Sequence, residues 1–223
     1  MSLLEASGVC KRFAGITALD DVSLSVEPGE PVGLIGPNGA GKTTFFNCLL
    51  GISRSDGGRV VFNGRDISRM PVYKRARLGT GRFWKDVLNL AGPTRDEGRR
   101  VDHTLELLGL NDVADKPIES LSLGRARLVE MGRALMTEPL LLLLDEPSSG
   151  LDQSETMDLV GTLQEVQRER GTAILLVEHD VEMVQAFASR LYVLDFGIVI
   201  ATGATADVMT DEAVRKAYLG ELV

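Results

Sequence analysis

Cysteines, aromatic residues and long apolar runs are all scarce in this sequence. Its 223 residues include two cysteines, Cys10 and Cys48, and 5% aromatic residues. Two distant cysteines without metal-binding spacing indicate small buried side chains in a reducing, cytosolic compartment rather than a disulfide scaffold. The run from Leu140 to Leu144 is far shorter than the ~20 apolar residues that a membrane-spanning helix needs. The first residues also lack the basic and apolar pattern of an export signal.

Basic residues are outnumbered by acidic ones, 24 to 32, which gives a formal net charge of -8. This balance argues against a general nucleic-acid-binding protein, because such proteins carry a basic surface. The charge is uneven, however, since residues 69–100 include nine Lys or Arg and three Asp or Glu. This basic segment is either a solvated stretch or a docking surface, and charge patterning alone leaves both interpretations open.

Strands and helices alternate along most of the chain. Several strands are apolar without alternation, as in LLLLL at 140–144 and TAILLV at 172–177. Such strands are typical of a mainly parallel sheet covered on both faces, so the sequence predicts an α/β fold. Short strands are predicted at the start of the chain. We expect strands over 4–9, 22–26, 32–35, 59–62, 140–144, 172–177, 191–195 and 198–201, and helices over 42–50, 125–136, 154–169 and 181–188.

Residues 69–119 are mostly polar and contain one clear amphipathic helix, VDHTLELLGL at 101–110. Val101, Leu105 and Leu108 share one face of this helix, which predicts that the three side chains pack against the core. His103 is expected at the surface.

The strongest chemical signal is GPNGAGKT, which matches the phosphate-binding loop pattern GxxxxGK[ST] between a predicted strand and a predicted helix. Its glycines let successive backbone N–H groups curl around phosphate oxygens, and the positive end of the helix adds to the attraction. Lys42 adds a point charge, and the Thr43 hydroxyl suits Mg²⁺, which prefers hard oxygen ligands. The predicted nucleotide-binding residues here are Gly36, Pro37, Asn38, Gly39, Ala40, Gly41, Lys42, Thr43 and Thr44.

Two adjacent carboxylates end the apolar strand in LLLLLDEP. Parallel sheets bind ligands at the carboxyl edge of their strands, so Asp145 is predicted to hold Mg²⁺, directly or through water. Glu146 is predicted to orient and deprotonate the water that attacks the γ-phosphate. A solvated turn is the alternative, and the phosphate loop upstream argues against it.

His179 follows another apolar strand in LLVEHD. From the same sheet edge its imidazole could hydrogen-bond the γ-phosphate or the attacking water. A lone histidine is more often structural, but the two preceding motifs favour a catalytic role.

These motifs resemble those of ATP-binding cassette ATPases over essentially the whole chain. The phosphate loop, LSLGR at 121–125, LLLLLDEP, SSGLD at 148–152 and His179 occur in the family's order and approximate spacing. The opening RFAGITALDDVSLSVEPGE, VLDFGIVIATG and the closing AYLGE are most similar to cytoplasmic ATPase subunits of bacterial importers for branched-chain amino acids. The resemblance implies one domain over 1–223 with a RecA-like P-loop NTPase core, an N-terminal antiparallel β subdomain and a shortened helical subdomain at about 69–124.

The resemblance also assigns residues that the other motifs do not. Phe13 would stack on adenine, with packing in the core as the alternative. Ser122 and Gly124 match the signature motif that contacts the γ-phosphate held by the opposite subunit. Asp152 matches the loop that crosses the dimer interface. One chain would therefore supply half of each site, and a homodimer or heterodimer would sandwich two ATP molecules.

Two positions depart from the family pattern. Arg125 stands where the signature motif usually ends in Gln. Trp84 follows Arg82 and Phe83 where the family has a Gln that ligates Mg²⁺ and links the site to the membrane partner, and Trp cannot ligate a metal. The stretch from Trp84 to Leu121 is also shorter than in the family. Either this element is truncated or residues are missing from the sequence, and the retained hydrolytic motifs favour missing residues.

The leading hypothesis is an ATPase that uses ATP and Mg²⁺ to close and reopen a dimer at the inner face of the cell membrane. Its implied partners are a second ATPase subunit, membrane permease subunits and, indirectly, a periplasmic solute-binding protein. One alternative is a nucleotide-gated binding module with weak hydrolysis. Another is a cassette ATPase that acts on nucleic acid through the basic segment, but the overall acidity argues against direct nucleic-acid binding.

Overall fold

Two sheets organise the chain, which the computed structural model describes over residues 2–76, 78, 80–82 and 95–219. A four-stranded antiparallel sheet has the order β2-β1-β4-β5, and a six-stranded sheet has the order β10-β9-β3-β8-β7-β6. All neighbours in the larger sheet pair in parallel except β10 and β9. The strands are β1 (Leu4–Phe13), β2 (Ile16–Val26), β3 (Pro31–Ile35), β4 (Gly57–Phe62), β5 (Arg65–Asp66), β6 (Thr80–Arg82), β7 (Leu141–Asp145), β8 (Ala173–Val177), β9 (Arg190–Asp195) and β10 (Ile198–Ala204).

The expected α/β class with a mainly parallel sheet and an antiparallel N-terminal unit is confirmed. The first helix has the predicted bounds, because Gly51 ends it in a left-handed conformation that suits glycine. Short 3₁₀ turns at Asn111–Val113 and Ile118–Ser120 precede the fourth helix. The helices are α1 (Lys42–Leu50), α2 (Val72–Ala76), α3 (Arg95–Leu107), α4 (Leu123–Leu135), α5 (Gln153–Arg170), α6 (Val181–Phe187), α7 (Thr205–Val208) and α8 (Glu212–Leu219).

Each central strand contributes side chains to two separate apolar clusters, one on each face of the sheet. In β7, Leu141 and Leu143 belong to the cluster that includes Phe45 of α1, whereas Leu142 and Leu144 belong to the cluster that includes Leu163 of α5. This arrangement explains why LLLLL shows no polar alternation: both faces of the strand are covered.

The sequence analysis and the structure differ between residues 80 and 101. Val101 is 40% exposed, so the predicted packing of its side chain against the core is wrong, whereas Leu108 is buried as expected. The strand β6 was not predicted, and it pairs in parallel with β7 through Thr80 and Leu141. Phe83 and Trp84, where the family glutamine is missing, lie outside the described residues. His103 is 58% exposed, as predicted.

The basic segment is not uniformly solvated. Arg75 is only 3% exposed, and its guanidinium donates to the carbonyl oxygens of Cys48 and Leu49 at 2.9 and 2.6 Å. It also donates to the carbonyl oxygens of Met70 and Ser68. Arg75 therefore acts as a structural cap at the carboxyl end of α1. For this residue, neither the solvated stretch nor the docking surface that the sequence suggested is correct.

Candidate functional site

Three loops leave the larger sheet at one edge and bring the predicted chemistry together. Leu34, Val177 and Asp145 lie in one row across β3, β8 and β7. The phosphate loop follows β3, His179 follows β8, and Glu146 follows β7. Because these strands are parallel, their carboxyl ends meet at the same edge, which is where such sheets bind ligands.

The phosphate loop is held in shape by close backbone contacts on both sides. A Cβ atom added to Gly36, which has a φ of 155°, would lie 2.0 Å from the Leu194 carbonyl oxygen. A Cβ atom added to Gly41 would lie 2.6 Å from the carbonyl oxygen of Ala18 in β2. The Gly197 amide donates to the Ala40 carbonyl at 2.9 Å. The loop therefore sits between β2 and the turn that joins β9 to β10.

The amino end of α1 is open to an anion. Gly41 caps the helix without a side-chain hydrogen bond, and the first turn carries no acidic residue. Lys42 is 5% exposed, and its ammonium group donates to the carbonyl oxygens of Gly36 and Pro37 at 2.6 and 3.1 Å. Asn38, Gly39 and Thr43 are exposed, whereas Thr44 is half-buried. The backbone donors and the cation fit a phosphate group.

Glu146 and His179 face each other at the sheet edge. The Glu146 amide donates to the Val177 carbonyl at 2.8 Å and the residue adopts a left-handed φ of 46°. Its Oε1 lies 3.7 Å from His179 Nδ1, and the two side chains are 38% and 55% exposed. The pair can therefore reach a ligand from outside.

Glu178, which the sequence analysis did not single out, lies beside this pair. Its side chain is fully buried, and its Oε2 is 3.6 Å from His179 Nδ1. The sequence offered one signal for Glu178, which is its position between an apolar strand and a candidate catalytic histidine. Its burial depends on residues far away in sequence, so spacing alone could not reveal it.

Phe13 lies at the end of β1, where it pairs across a tight hairpin with Ile16. The ring is 48% exposed, so the alternative that it packs in the core is wrong. Lys11 Nζ lies 5.2 Å from the ring centroid. The same hairpin continues to Ala18, whose carbonyl oxygen approaches Gly41, so Phe13 belongs to a strand pair that covers the phosphate loop.

The signature residues occupy a different place from the phosphate loop. Ser122 caps α4 by accepting from the Arg125 amide at 3.4 Å. Ser122 and Gly124 line a cavity of about 260 Å³, whereas Pro37 to Ala40 of the phosphate loop line another of about 610 Å³. The structure therefore does not bring the signature residues to the phosphate loop of the same chain.

Arg125, which replaces the usual signature Gln, is held by a neighbour. Its Nη1 contacts Asp112 Oδ2 at 2.5 Å. The hydrogen bond from Arg125 lowers the pKa of Asp112 below its ordinary value. The substitution therefore ties the signature helix α4 to the turn at Asn111–Val113.

Asp152 has a structural role that its motif did not suggest. Its carboxylate accepts from the Glu155 amide at 2.8 Å, and the Glu155 carboxylate accepts from the Asp152 amide at 3.2 Å. This capping box begins α5. Asp152 is exposed, so its side chain is also accessible to a partner.

The oxygen ligands fit a magnesium ion that is bound together with a nucleotide. Among the described residues, no group of three or more His, Cys, Asp or Glu side chains could hold a metal ion. Asp145 at the end of β7 and the exposed Thr43 hydroxyl offer hard oxygen atoms. Mg²⁺ suits such a sparse set, because it commonly takes one or two protein ligands and completes its shell with phosphates and water.

Comparison with known proteins finds similarity over nearly the whole chain. A family model described as ABC transporter matches residues 19–149, and one described as branched-chain amino acid ATP-binding cassette transporter matches 199–222. The chain is 35% identical to the high-affinity branched-chain amino acid transport ATP-binding protein BraF of Pseudomonas aeruginosa, covering 98% of both chains. It is 36% identical to the lipopolysaccharide export system ATP-binding protein LptB of Haemophilus influenzae, covering 99% of this chain and 98% of LptB.

A solved structure shares the fold. The ADP conformation of MJ1267, an ATP-binding cassette of an ABC transporter, superposes with a TM-score of 0.92 at 28% identity and covers 99% of each chain. The BraF alignment spans 250 positions, more than the 223 residues of this chain, so BraF has residues without a counterpart here.

Proposed function

Because the chain belongs to the ABC transporter family, in which ATP hydrolysis drives transport, we propose that it powers import of branched-chain amino acids through separate membrane subunits. The match of residues 199–222 to the branched-chain amino acid transporter model carries this choice. This match favours BraF over LptB, two relatives of nearly equal identity whose names indicate different cargoes.

In the proposed reaction, the phosphate loop and the first turn of α1 bind the triphosphate. Lys42 exchanges its contacts with the loop carbonyls for contacts with phosphate oxygens, which offer full negative charge in place of carbonyl dipoles. Phe13 stacks on adenine, and the exposure of its ring to solvent supports this role.

Glu146 orients and deprotonates the attacking water, and His179 hydrogen-bonds the γ-phosphate or that water. Their side chains lie 3.7 Å apart at the edge that carries the phosphate loop, which supports a shared role. Thr43 and Asp145 would hold Mg²⁺, which when bound neutralises charge on the phosphates.

The proposed active species is a dimer in which each phosphate loop faces the signature motif of the other subunit. The separate cavities of Ser122 and Pro37 support this arrangement, because one chain alone leaves the signature motif unused. Within the described residues no helix is long and apolar enough to cross a membrane. We propose, from the family to which the chain belongs, that permease subunits form the solute path and that a periplasmic binding protein delivers the amino acid.

The variant Glu146→Gln tests the proposed chemistry. It should bind ATP with wild-type affinity, accumulate as an ATP-bound dimer in gel filtration and hydrolyse ATP at least about a hundredfold more slowly, because the amide cannot accept the proton. Glu169→Gln, which changes a surface glutamate of α5, is the matched control and should behave as the wild type. Unchanged turnover in Glu146→Gln would refute the proposed base.

The cargo is tested separately by reconstituting the chain with candidate permease subunits in proteoliposomes. Uptake of radiolabelled leucine should require ATP and should be lost with Glu146→Gln. ATP-dependent activity without uptake of any branched-chain amino acid would refute the proposed cargo and leave the ATPase assignment intact.

A further inference from the structure

A buried carboxylate connects the candidate catalytic pair to the loop that leads to α5. Glu178 directly follows β8, and its side chain is fully buried. Both carboxylate oxygens accept hydrogen bonds from protein donors. Oε1 accepts from the amide and the hydroxyl of Ser148 at 2.9 and 2.7 Å. Oε2 accepts from the amides of His179 and Asp180 at 3.0 and 3.5 Å.

Ser148 is the point at which Glu178 holds the loop from Glu146 to Asp152. The loop is compact, since the Ser149 amide donates to the Glu146 carbonyl and the Leu151 amide donates to the Ser148 carbonyl. Glu146 and Asp152 are therefore linked by a short run of turns that is tied to the protein interior at Ser148. A shift of Ser148 would move both residues.

On its other side, Glu178 constrains the histidine. His179 Nδ1 lies 3.6 Å from Glu178 Oε2 and 3.7 Å from Glu146 Oε1, so this one ring nitrogen lies close to both carboxylates. The Glu178 amide donates to the Leu34 carbonyl at 3.2 Å, which also ties it to the strand before the phosphate loop. One residue thus contacts all three segments that meet at the sheet edge.

We propose that Glu178 is a positioning residue whose carboxylate holds Glu146 and His179 in register with the loop ending at Asp152. This inference rests on the proposed ATPase reaction for its functional part. Contact of Asp152 with a partner subunit would reach the hydrolytic pair through Ser148 and Glu178. Because misplacement of a reacting group by about 1 Å can cost a hundredfold in rate, a device that fixes these positions matters for turnover.

The chemistry of the four donors explains why a carboxylate is needed. A glutamine could keep one oxygen toward Ser148, but its NH₂ group would then face the amides of His179 and Asp180. The glutamine NH₂ group and the two backbone amides would then all be hydrogen-bond donors without an acceptor, which is unfavourable in a buried site. Glu178→Gln is therefore expected to release the histidine side of the network while leaving side-chain volume almost unchanged.

Two measurements on the full chain test the proposal, with Glu169→Gln as the matched control. Glu169 Oε2 on α5 lies 3.8 Å from His103 Nε2 on α3, so the two residues form an exposed Glu–His pair between these helices. In nucleotide-free protein, amide hydrogen exchange followed by NMR should show at least about tenfold lower protection of the His179 amide in Glu178→Gln, whereas the Ser148 amide should keep most of its protection. In steady-state assays, the same variant should lose at least about tenfold in kcat while KM for ATP stays within about twofold.

Ser148→Ala provides a milder second variant that removes one donor and keeps the amide. It should lower kcat by about threefold, and combining it with Glu178→Gln should lower kcat by less than the product of the single effects, because both act through the side chain at position 178. Native exchange protection and native kcat in Glu178→Gln would overturn the proposal. So would a loss of kcat in Ser148→Ala and Glu178→Gln that simply multiplies. A wild-type protein without ATPase activity would instead refute the proposed function, which the exchange measurement does not depend on.

Discussion

Single residues determine the shape of the phosphate loop. Gly36 leaves β3 where the Leu194 carbonyl oxygen fills the space of a side chain. Gly64, in the turn between β4 and β5, also has a positive φ of 74°, but nothing lies within 4 Å of its Cβ position. The comparison separates two costs: backbone strain alone at Gly64, and strain with a backbone clash at Gly36.

The first prediction compares Gly36→Ala with Gly64→Ala. Gly64→Ala should lower the free energy of unfolding by about 1 kcal/mol, which is the usual cost of an alanine in this conformation. Gly36→Ala should cost at least about 3 kcal/mol and weaken ATP binding, because a backbone carbonyl must move. Urea unfolding and nucleotide titration measure both effects, and equal costs for the two variants would contradict the steric explanation.

The second prediction concerns Asp66 and acid stability. Hydrogen bonds from the Ser68 hydroxyl and amide, and then from Arg59, lower the pKa of Asp66 from 3.8 to about 2. A carboxyl group with a lowered folded-state pKa stabilises the fold above its unfolded pKa. That contribution is lost as the pH falls from 3.8 to about 2. In thermal unfolding, the melting temperature of the wild type should therefore be higher than that of Asp66→Asn at pH 6. The difference between the two melting temperatures should shrink as the pH falls toward 2.

At the scale of elements, α1 is fixed at both ends by different means. Its amino end begins in the phosphate loop without a side-chain cap and so remains available to an anion. Its carboxyl end is closed by Gly51 and by the Arg75 guanidinium, which donates to the Cys48 and Leu49 carbonyls. Burial lowers the pKa of Arg75 below its ordinary value. The helix that carries Lys42 is thus held in place by a residue of the basic segment.

The third prediction tests this cap. Arg75→Met keeps an apolar stem but removes the guanidinium donors to the Cys48 and Leu49 carbonyls, so it should lower the free energy of unfolding by about 3 kcal/mol. Lys74→Met changes the exposed neighbour on α2 and should cost less than about 0.5 kcal/mol. Urea unfolding at neutral pH measures both, and similar values for the two variants would contradict the capping role.

At the scale of the whole molecule, the chain carries the parts of a nucleotide site in two separated places. The phosphate loop and the Glu146–His179 pair share the sheet edge, whereas Ser122 and Gly124 line a cavity with Leu151 of the loop after β7. A head-to-tail pair of chains could join these halves twice, which is the symmetry that twofold dimers provide.

The fourth prediction uses two inactive variants to test this arrangement. Lys42→Ala removes the phosphate-loop cation, and Ser122→Arg obstructs the signature motif. Each alone should lack ATPase activity, but an equal mixture should regain up to about a quarter of the wild-type rate, because mixed dimers contain one intact composite site. No gain above the separate proteins in a coupled-enzyme assay would contradict sites shared between chains.

The sequence determined the features that depend on local spacing. The phosphate loop, the carboxylates at the end of β7 and the histidine after β8 were all located from motifs next to apolar strands. The parallel sheet then placed them at one edge, since the carboxyl ends of parallel strands coincide. The cap and stop of α1 are likewise local, and its bounds were predicted correctly.

Only the tertiary structure decided which side chains are buried and what they contact. Val101 is exposed although its helix pattern favoured burial, and Phe13 is exposed although a strand end could have packed inside. Arg75 and Glu178 are buried charged residues that no motif identified, because their partners lie 27 and 30 residues away in sequence. Burial is a property of the neighbours that the fold supplies, and hydrogen bonds over such separations exist only after the chain has folded.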